Sequence, residues 1–408
     1  MLTLLMPLFL AAAVTPSAND RIPQPSLVVG TQSIGAKYKF SDAPLLVESA
    51  RQIQRLGSDV LKIAVSPKYP DDYMMTADPE IRTILDLFQR KPEFAEVCRM
   101  PFSHVQLWVY PFADTRRAFS LGYVPKEEAR KVYQELYDFT AHLLKTYQGT
   151  GKSFYLGNWE GDWHLQQERY DHSYNPDETA IQGAIDWFKL RSRAVTDARR
   201  DTPHEGVEVY FYIEINHVRK AMAEERPALV NRVLPHVETD YVSWSSYDIT
   251  KEAAARGGPE GRKMVMDALD YIQARLPPSD IAGKRVMIGE YGFETEFAGS
   301  PRNQALYSAD LIRWGLEWGC PFILYWELYC NEIDAKTGRH RGYWLIDNRG
   351  EEQPVWHLFA GFLTKARAFR SEFESRLGRP PTQTEFNRIA PTWLSNSNEL
   401  WEPPRSGP

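Results

Sequence analysis

The sequence has little of what a disulfide scaffold, a nucleic-acid binder or a membrane protein needs. Only three cysteines occur in 408 residues: Cys98, Cys320 and Cys330. An odd count cannot pair fully within the chain, and no CxxC or Cys/His metal spacing is present, so a disulfide framework is excluded and the thiols read as buried and free. No block of lysine and arginine occurs, and the formal net charge is −6. Nucleic acid or an anionic membrane would find no electrostatic footprint. The only long apolar run, Leu2 to Val14, is too short to span a bilayer. It leads into the small residues TPSA and reads as a secretory leader cleaved near Ala18, although no Lys or Arg precedes it. The chain is therefore expected to be secreted or periplasmic. Internal repeats and low-complexity tracts are missing. So are a GxGxxG loop after the first strand-like run and a GxSxG nucleophile elbow. A metal-dependent barrel hydrolase would place HxH early; here the first run ends GTQSIG and the 9 histidines are scattered. No cofactor or metal is implied.

What is present is ordinary globular composition, 43% hydrophobic and 25% charged. The length suits one large α/β domain or two average ones. Eight β-branched and aromatic runs are bounded by Gly, Pro and polar residues: Leu27–Gly35, Val60–Pro67, His104–Phe112, Ser153–Trp163, Val207–Val218, Asp240–Asp248, RVMIGEYGFE (285–294) and Cys320–Glu332. Amphipathic helical patterns lie between them. In residues 43–58, Leu46, Ala50, Ile53 and Leu56 fall at helical spacing. Residues 124–147 open with Pro125 and two glutamates, and the pattern before the eighth run stops at Gly319, a C-cap residue. Eight strands alternating with about eight helices predict a (β/α)8 TIM barrel of the α/β class rather than an open doubly wound sheet. The expected division is a leader over 1–18, a single barrel domain over 19–377 and a C-terminal extension over 378–408.

In such a barrel the working groups sit at the C-terminal ends of the strands. The second run offers Lys62 and Ser66, the third Trp108 and Tyr110. The fourth offers Asn158, Trp159, Glu160, Asp162 and Trp163, and the fifth Asn216 and His217. The sixth offers Trp244 and Tyr247, the seventh Glu290, and the eighth Trp326, Glu327 and Asn331. Carboxylates at the ends of the fourth and seventh strands, nearly opposite in such a barrel, suggest paired acid/base work across a central cleft. Glycoside hydrolysis needs such a pair: one carboxyl protonates the departing oxygen, and the other attacks the anomeric carbon or activates water. Their environments must differ, so that one keeps its proton and the other does not. Aromatics make up 13% of the chain, with 12 tryptophans, and suit stacking against sugar rings as well as core packing.

From strand one to the last helix, this set resembles the retaining glycoside hydrolases of clan A, the barrel superfamily that holds many cellulases, mannanases and related β-glycanases. The resemblance rests on YLGNWEGDW, WSSYD, IGEYGFE, LYWELYCNE and the closing GYWLIDNRGEEQPVWHLF. It implies Glu160 as acid/base, Glu290 as nucleophile and Tyr247 as the hydroxyl holding the nucleophile. It also implies Trp326 as the floor of the sugar subsite next to the cleavage point and Asn158 as a sugar contact. Two departures are visible. The clan places Asn directly before its acid/base Glu, whereas Trp159 separates Asn158 from Glu160; a bulge would restore the geometry. Lys62 stands where many members carry arginine.

Each candidate has a plainer reading. Glu290 could be a structural strand-end ion pair, and Tyr247 a core tyrosine. Asp162 and Glu327 are rival acids. His217 is supported only by its strand-end position, and Trp159, Trp163, Trp108, Tyr110 and Trp244 are stacking candidates that packing alone would also explain. Asp171 and His172, in the long segment after the fourth strand, are further candidate sugar contacts. The expected activity is retaining hydrolysis of a poly- or oligosaccharide, with carbohydrate as the partner. The alternatives are a transglycosylase using the same residues and a non-catalytic carbohydrate-binding barrel.

Overall fold

A computed structural model describes residues 25–394. The expected leader and residues 395–408 lie outside the described residues. The strands are β1 Val29–Thr31, β2 Val60–Val65, β3 His104–Val109, β4 Lys152–Gly157, β5 Val207–Ile215, β6 Tyr241–Ser245, β7 Val286–Tyr291 and β8 Ile323–Tyr325. They pair in parallel in the order β1-β8-β7-β6-β5-β4-β3-β2. A further parallel bridge, Gln32 to Lys62, joins β1 to β2. Closure makes this a (β/α)8 barrel and rules out the open sheet.

Strand side chains alternate between two apolar layers, as a period of two demands. Val105, Leu107 and Val109, or Val209, Phe211, Ile213 and Ile215, pack outward against the helices. Trp108, Tyr155, Tyr210, Tyr212, Tyr241, Met287 and Leu324 fill the barrel interior. Fully burying each large apolar side chain contributes about 1.5–3 kcal/mol. The helices begin and end as their sequences direct. Ser300 accepts from the Asn303 N–H (3.2 Å) at the start of the helix Pro301–Trp318, and Gly319 ends it in the left-handed conformation at φ 103°. Among the described residues, no helix is long and apolar enough to cross a membrane.

Two strands depart from the expected pattern near the C-terminal mouth. The fourth run stops being strand at Gly157, and Gly161–Leu165 is a short helix. In β7, Met287 points inward and Ile288 outward, so strict alternation would turn Glu290 to the helices. Instead the register slips. Ser243 pairs with Met287 but Ser245 with Glu290, and Ile288 pairs with Ile323 but Tyr291 with Tyr325. Three residues of β7 thus oppose two on each neighbour. This bulge turns Glu290 inward and sends Tyr291 out into the helix-facing layer.

The described part of the C-terminal extension forms the helix Gln383–Ile389 and a 3-10 turn, Ala390–Leu394. It packs where β1 and β8 begin: Gln383 Oε1 accepts from the Ser26 N–H (2.9 Å), and Asn387 Nδ2 donates to the Cys320 carbonyl (3.0 Å).

The bulge depends on Gly289, where a Cβ would lie 1.8 Å from Ser243 Oγ. Gly289→Ala is therefore expected to lose about 1–3 kcal/mol of stability through overpacking. The check is the urea midpoint; an unchanged midpoint would mean that β7 can slide to make room.

Candidate active site

The barrel mouth is built around a carboxylate that strand-end reading passed over. β5 turns Tyr210, Tyr212 and then Glu214 inward. Glu214 is fully buried and accepts five hydrogen bonds: from Lys62 Nζ (2.9 Å), Ser243 Oγ (2.8 Å), Ser245 Oγ (3.2 Å), Trp108 Nε1 (3.2 Å) and the Glu160 backbone N–H (3.1 Å). Lys62 is equally buried. It also donates to the Gly289 carbonyl (2.8 Å) and lies 4.5 Å below the Trp108 ring. Alternation in VEVYFYIEIN, with Tyr, Tyr and Glu on one face, was the signal that identifies Glu214.

Glu160 reaches the mouth by an irregular route. Past Gly157, Asn158 turns its amide to the neighbouring strand: its Oδ1 accepts from the Glu214 N–H (3.0 Å) and its Nδ2 donates to the Glu214 carbonyl (3.1 Å). A side chain thus continues the β4–β5 ladder. Trp159 donates its N–H to the Tyr110 hydroxyl (2.9 Å), and Glu160 takes φ 24°, ψ 68°, sparsely populated for a residue with a Cβ. Its Oε2 accepts from Trp163 Nε1 (2.5 Å), one helical turn on. Glu290 Oε1 accepts from the Tyr247 hydroxyl (3.0 Å), and its Oε2 takes no hydrogen bond from any described residue.

Three carboxyl groups and one ammonium are therefore buried together. Burial, and then the negative charge of Glu214, pushes Glu160 up to about 8. Glu290 is pushed well above the usual carboxylate range by burial and then by Glu160 and Glu214, while Lys62 and the Tyr247 hydroxyl act in the opposite direction.

The aromatic candidates divide. The Trp326 ring lies 6.0 Å from that of Trp108, and Trp326 Nε1 donates to Glu332 (3.0 Å). Trp159 packs edge-on to Trp108 at 6.4 Å. Trp163 meets His217 (4.5 Å) and His172 (5.0 Å), so these rings gather beside Glu160. His217 is buried, which lowers it to about 4 and keeps it neutral. Tyr110 hydrogen-bonds His164 Nε2 (2.8 Å) and braces the loop that carries Glu160.

Other candidates lie elsewhere or are fully engaged. Trp244 does not join the mouth; it belongs to the helix-facing layer, because Tyr241, Ser243 and Ser245 take the inward positions of β6. Asn158 is completely buried with its amide spent on Glu214, and so is a backbone clamp rather than a sugar contact. Asp162 ties loops together, accepting from the N–H groups of Asn216 (2.9 Å), His217 (3.1 Å) and Leu229 (2.7 Å). Glu327 accepts from the Asn331 (2.8 Å) and Ile34 (3.4 Å) N–H groups. Asp171 closes a local turn on Ser173 (2.8 Å). Ser66 accepts from the Lys68 N–H (3.0 Å) in the turn after β2. Asn331 donates to the Ile34 carbonyl (2.8 Å), linking the loops after β8 and β1. Among the described residues, no cluster of three or more His, Cys, Asp or Glu side chains is placed to hold a metal ion.

The barrel has solved counterparts in its fold. A family 39 glycoside hydrolase from the gut symbiont Bacteroides cellulosilyticus is 13% identical at TM-score 0.51, over 83% of this chain; the present chain spans 64% of its length. A GH5_18 protein of Bifidobacterium longum, in complex with Manβ1-4GlcNAc, is 11% identical at TM-score 0.53, over 79% of this chain and 73% of its own. At these identities the likeness is one of fold. No protein-family model matches the sequence, and no curated protein matches it significantly.

Removing one partner of a buried ion pair leaves the other charge uncompensated. Lys62→Met is expected to destabilise the protein by about 3–5 kcal/mol, and Lys62→Met combined with Glu214→Gln by distinctly less. Comparing the two denaturation midpoints checks this; equal losses would show that the pair's electrostatics do not matter.

Proposed function

We propose that the protein is a retaining glycoside hydrolase acting on β-linked poly- or oligosaccharides. The observation that carries this reading is the pair Glu160 and Glu290, both buried at the barrel mouth, with the Tyr247 hydroxyl on Glu290 and the Trp163 indole N–H on Glu160. Glu160 holds the proton at neutral pH. Burial and Glu214 still oppose ionisation of Glu290, but with that proton in place the charge of Glu160 no longer does, and Lys62 and the Tyr247 hydroxyl favour its carboxylate. Glu290 then attacks the anomeric carbon through its unpartnered Oε2 as Glu160 protonates the leaving oxygen. In the second half, Glu160 takes a proton from water, whose oxygen displaces Glu290 and restores both groups. Trp326 and Trp108 are the stacking surface for the sugar being transferred. Trp163, His172 and His217, on the Glu160 side, flank the departing sugar. A sugar acceptor in place of water would make the same residues a transglycosylase. With the leader over 1–18, the enzyme would act outside the cytoplasm.

The test is a panel of β-glycans with NMR detection of the first anomer released and a 2-fluoro glycoside as covalent trap. Retention, with the label on Glu290, is expected; an inverted product or a label elsewhere overturns the assignment. Glu160→Gln should lower turnover by about 10²–10⁴ for substrates with poor leaving groups. Because the acid must be protonated, kcat/KM of the wild type should fall as pH rises through about 8. A plateau well beyond that pH would remove Glu160 as the acid.

A further inference from the structure

A buried ion pair is weak grounds for stability, since well-packed apolar side chains would serve as well. What singles out the Lys62–Glu214 pair is where its contacts go: they reach the backbone beside both Glu160 and Glu290. Glu214 Oε1 receives the N–H of Glu160 itself (3.1 Å), and Lys62 Nζ reaches the carbonyl of Gly289 (2.8 Å), the residue before Glu290. One salt bridge of 2.9 Å therefore spans the barrel axis and is bonded at each end to the backbone beside a reactive carboxyl. Three of the five donors on Glu214, those of Lys62, Trp108 and the Glu160 amide, can only donate, and one of them is the cationic partner of its salt bridge.

Resting on the reading above, we propose that Lys62 and Glu214 are positioning residues: together they set the placement of Glu160 against Glu290, and the fixed negative charge of Glu214 keeps the proton on Glu160. The other groups around Glu160 do not supply that charge as directly. Asp162, on its own helix, acts in the same sense but after Glu214. Lys62, from β2, opposes it. Glu290 and Tyr247 face it from the β7 and β6 side, and Tyr170 from the loop beyond. Around Glu214 itself stand Lys62, Tyr110 and Tyr212.

The test uses the full chain with 13C-labelled glutamate. The Glu160 signal is assigned by its loss in Glu160→Gln, and its titration is followed in wild type, Glu214→Gln and the double variant Lys62→Met/Glu214→Gln. In Glu214→Gln the proton affinity of Glu160 should fall by about tenfold or more, and the alkaline limb of kcat/KM should move down with it. In the double variant the fall should be smaller, because the opposing ammonium is gone as well. A Glu160 titration within about threefold of wild type in the folded variants overturns the proposal. If Glu214→Gln does not fold, the double variant decides, since it leaves no unpaired buried charge; failure of both to fold would make the pair a structural requirement and also overturn it. A titration that moves in a protein cleaving no glycan would sink the hydrolase reading and leave the coupling. Hydrolysis with an unmoved titration would do the reverse.

Discussion

The structure turns on one ammonium and one carboxylate placed where water does not reach. Burying either ion alone would cost several kcal/mol, so each must be satisfied almost completely. That requirement explains the composition around the pair. Ser243 and Ser245 occupy the inward positions of β6, where larger apolar residues would otherwise complete the core. Trp108 serves twice, through its indole N–H on Glu214 and its ring face above Lys62. Gly289 gives up its side chain so that β7 can approach Ser243. The polar centre is thus assembled from β2, β3, β5, β6 and β7, and the mouth above inherits its geometry.

That dependence also orders the electrostatics. An unpaired carboxylate beneath two further carboxyls would be a strongly repulsive set. With Lys62 in place, the charge of Glu214 is offset but not erased, and the remaining pair is left to share protons in a desolvated site. Tyr247 and Trp163 give Glu290 and Glu160 one donor each. Beyond the difference between a hydroxyl and an indole donor, position separates them: Glu290 follows the residue that Lys62 holds, and the N–H of Glu160 is itself held by Glu214.

Much of this was legible in the sequence. Eight apolar runs with amphipathic segments between them specify a closed barrel, and a carboxylate after an apolar run places a carboxyl group at its rim, as with Glu290. Two kinds of information were hidden. The first was parity. Trp244 follows the apolar run like a rim residue but has the outward phase, whereas Glu214 has the inward phase and sits within the run. The second was local irregularity. An extra residue in β7 leaves no mark in RVMIGEYGFE beyond its glycines, because a bulge is decided by how two neighbouring strands pair. The same holds for Asn158, whose amide substitutes for a backbone ladder that no single segment reveals.

The strands that close the barrel come from opposite ends of the chain: residues 29–31 pair with 323–325, and the Gln383–Ile389 helix pins both where they begin. During ribosomal synthesis the first strand can meet β2 early, but its other edge must wait until residues 323–325 have been made. Until then the growing sheet has two unpaired edges, available to any other extended chain. The covering helices and the polar interior cannot protect those edges. A nascent molecule of this kind keeps those edges open until its eighth strand arrives, which makes the order of synthesis part of its aggregation risk.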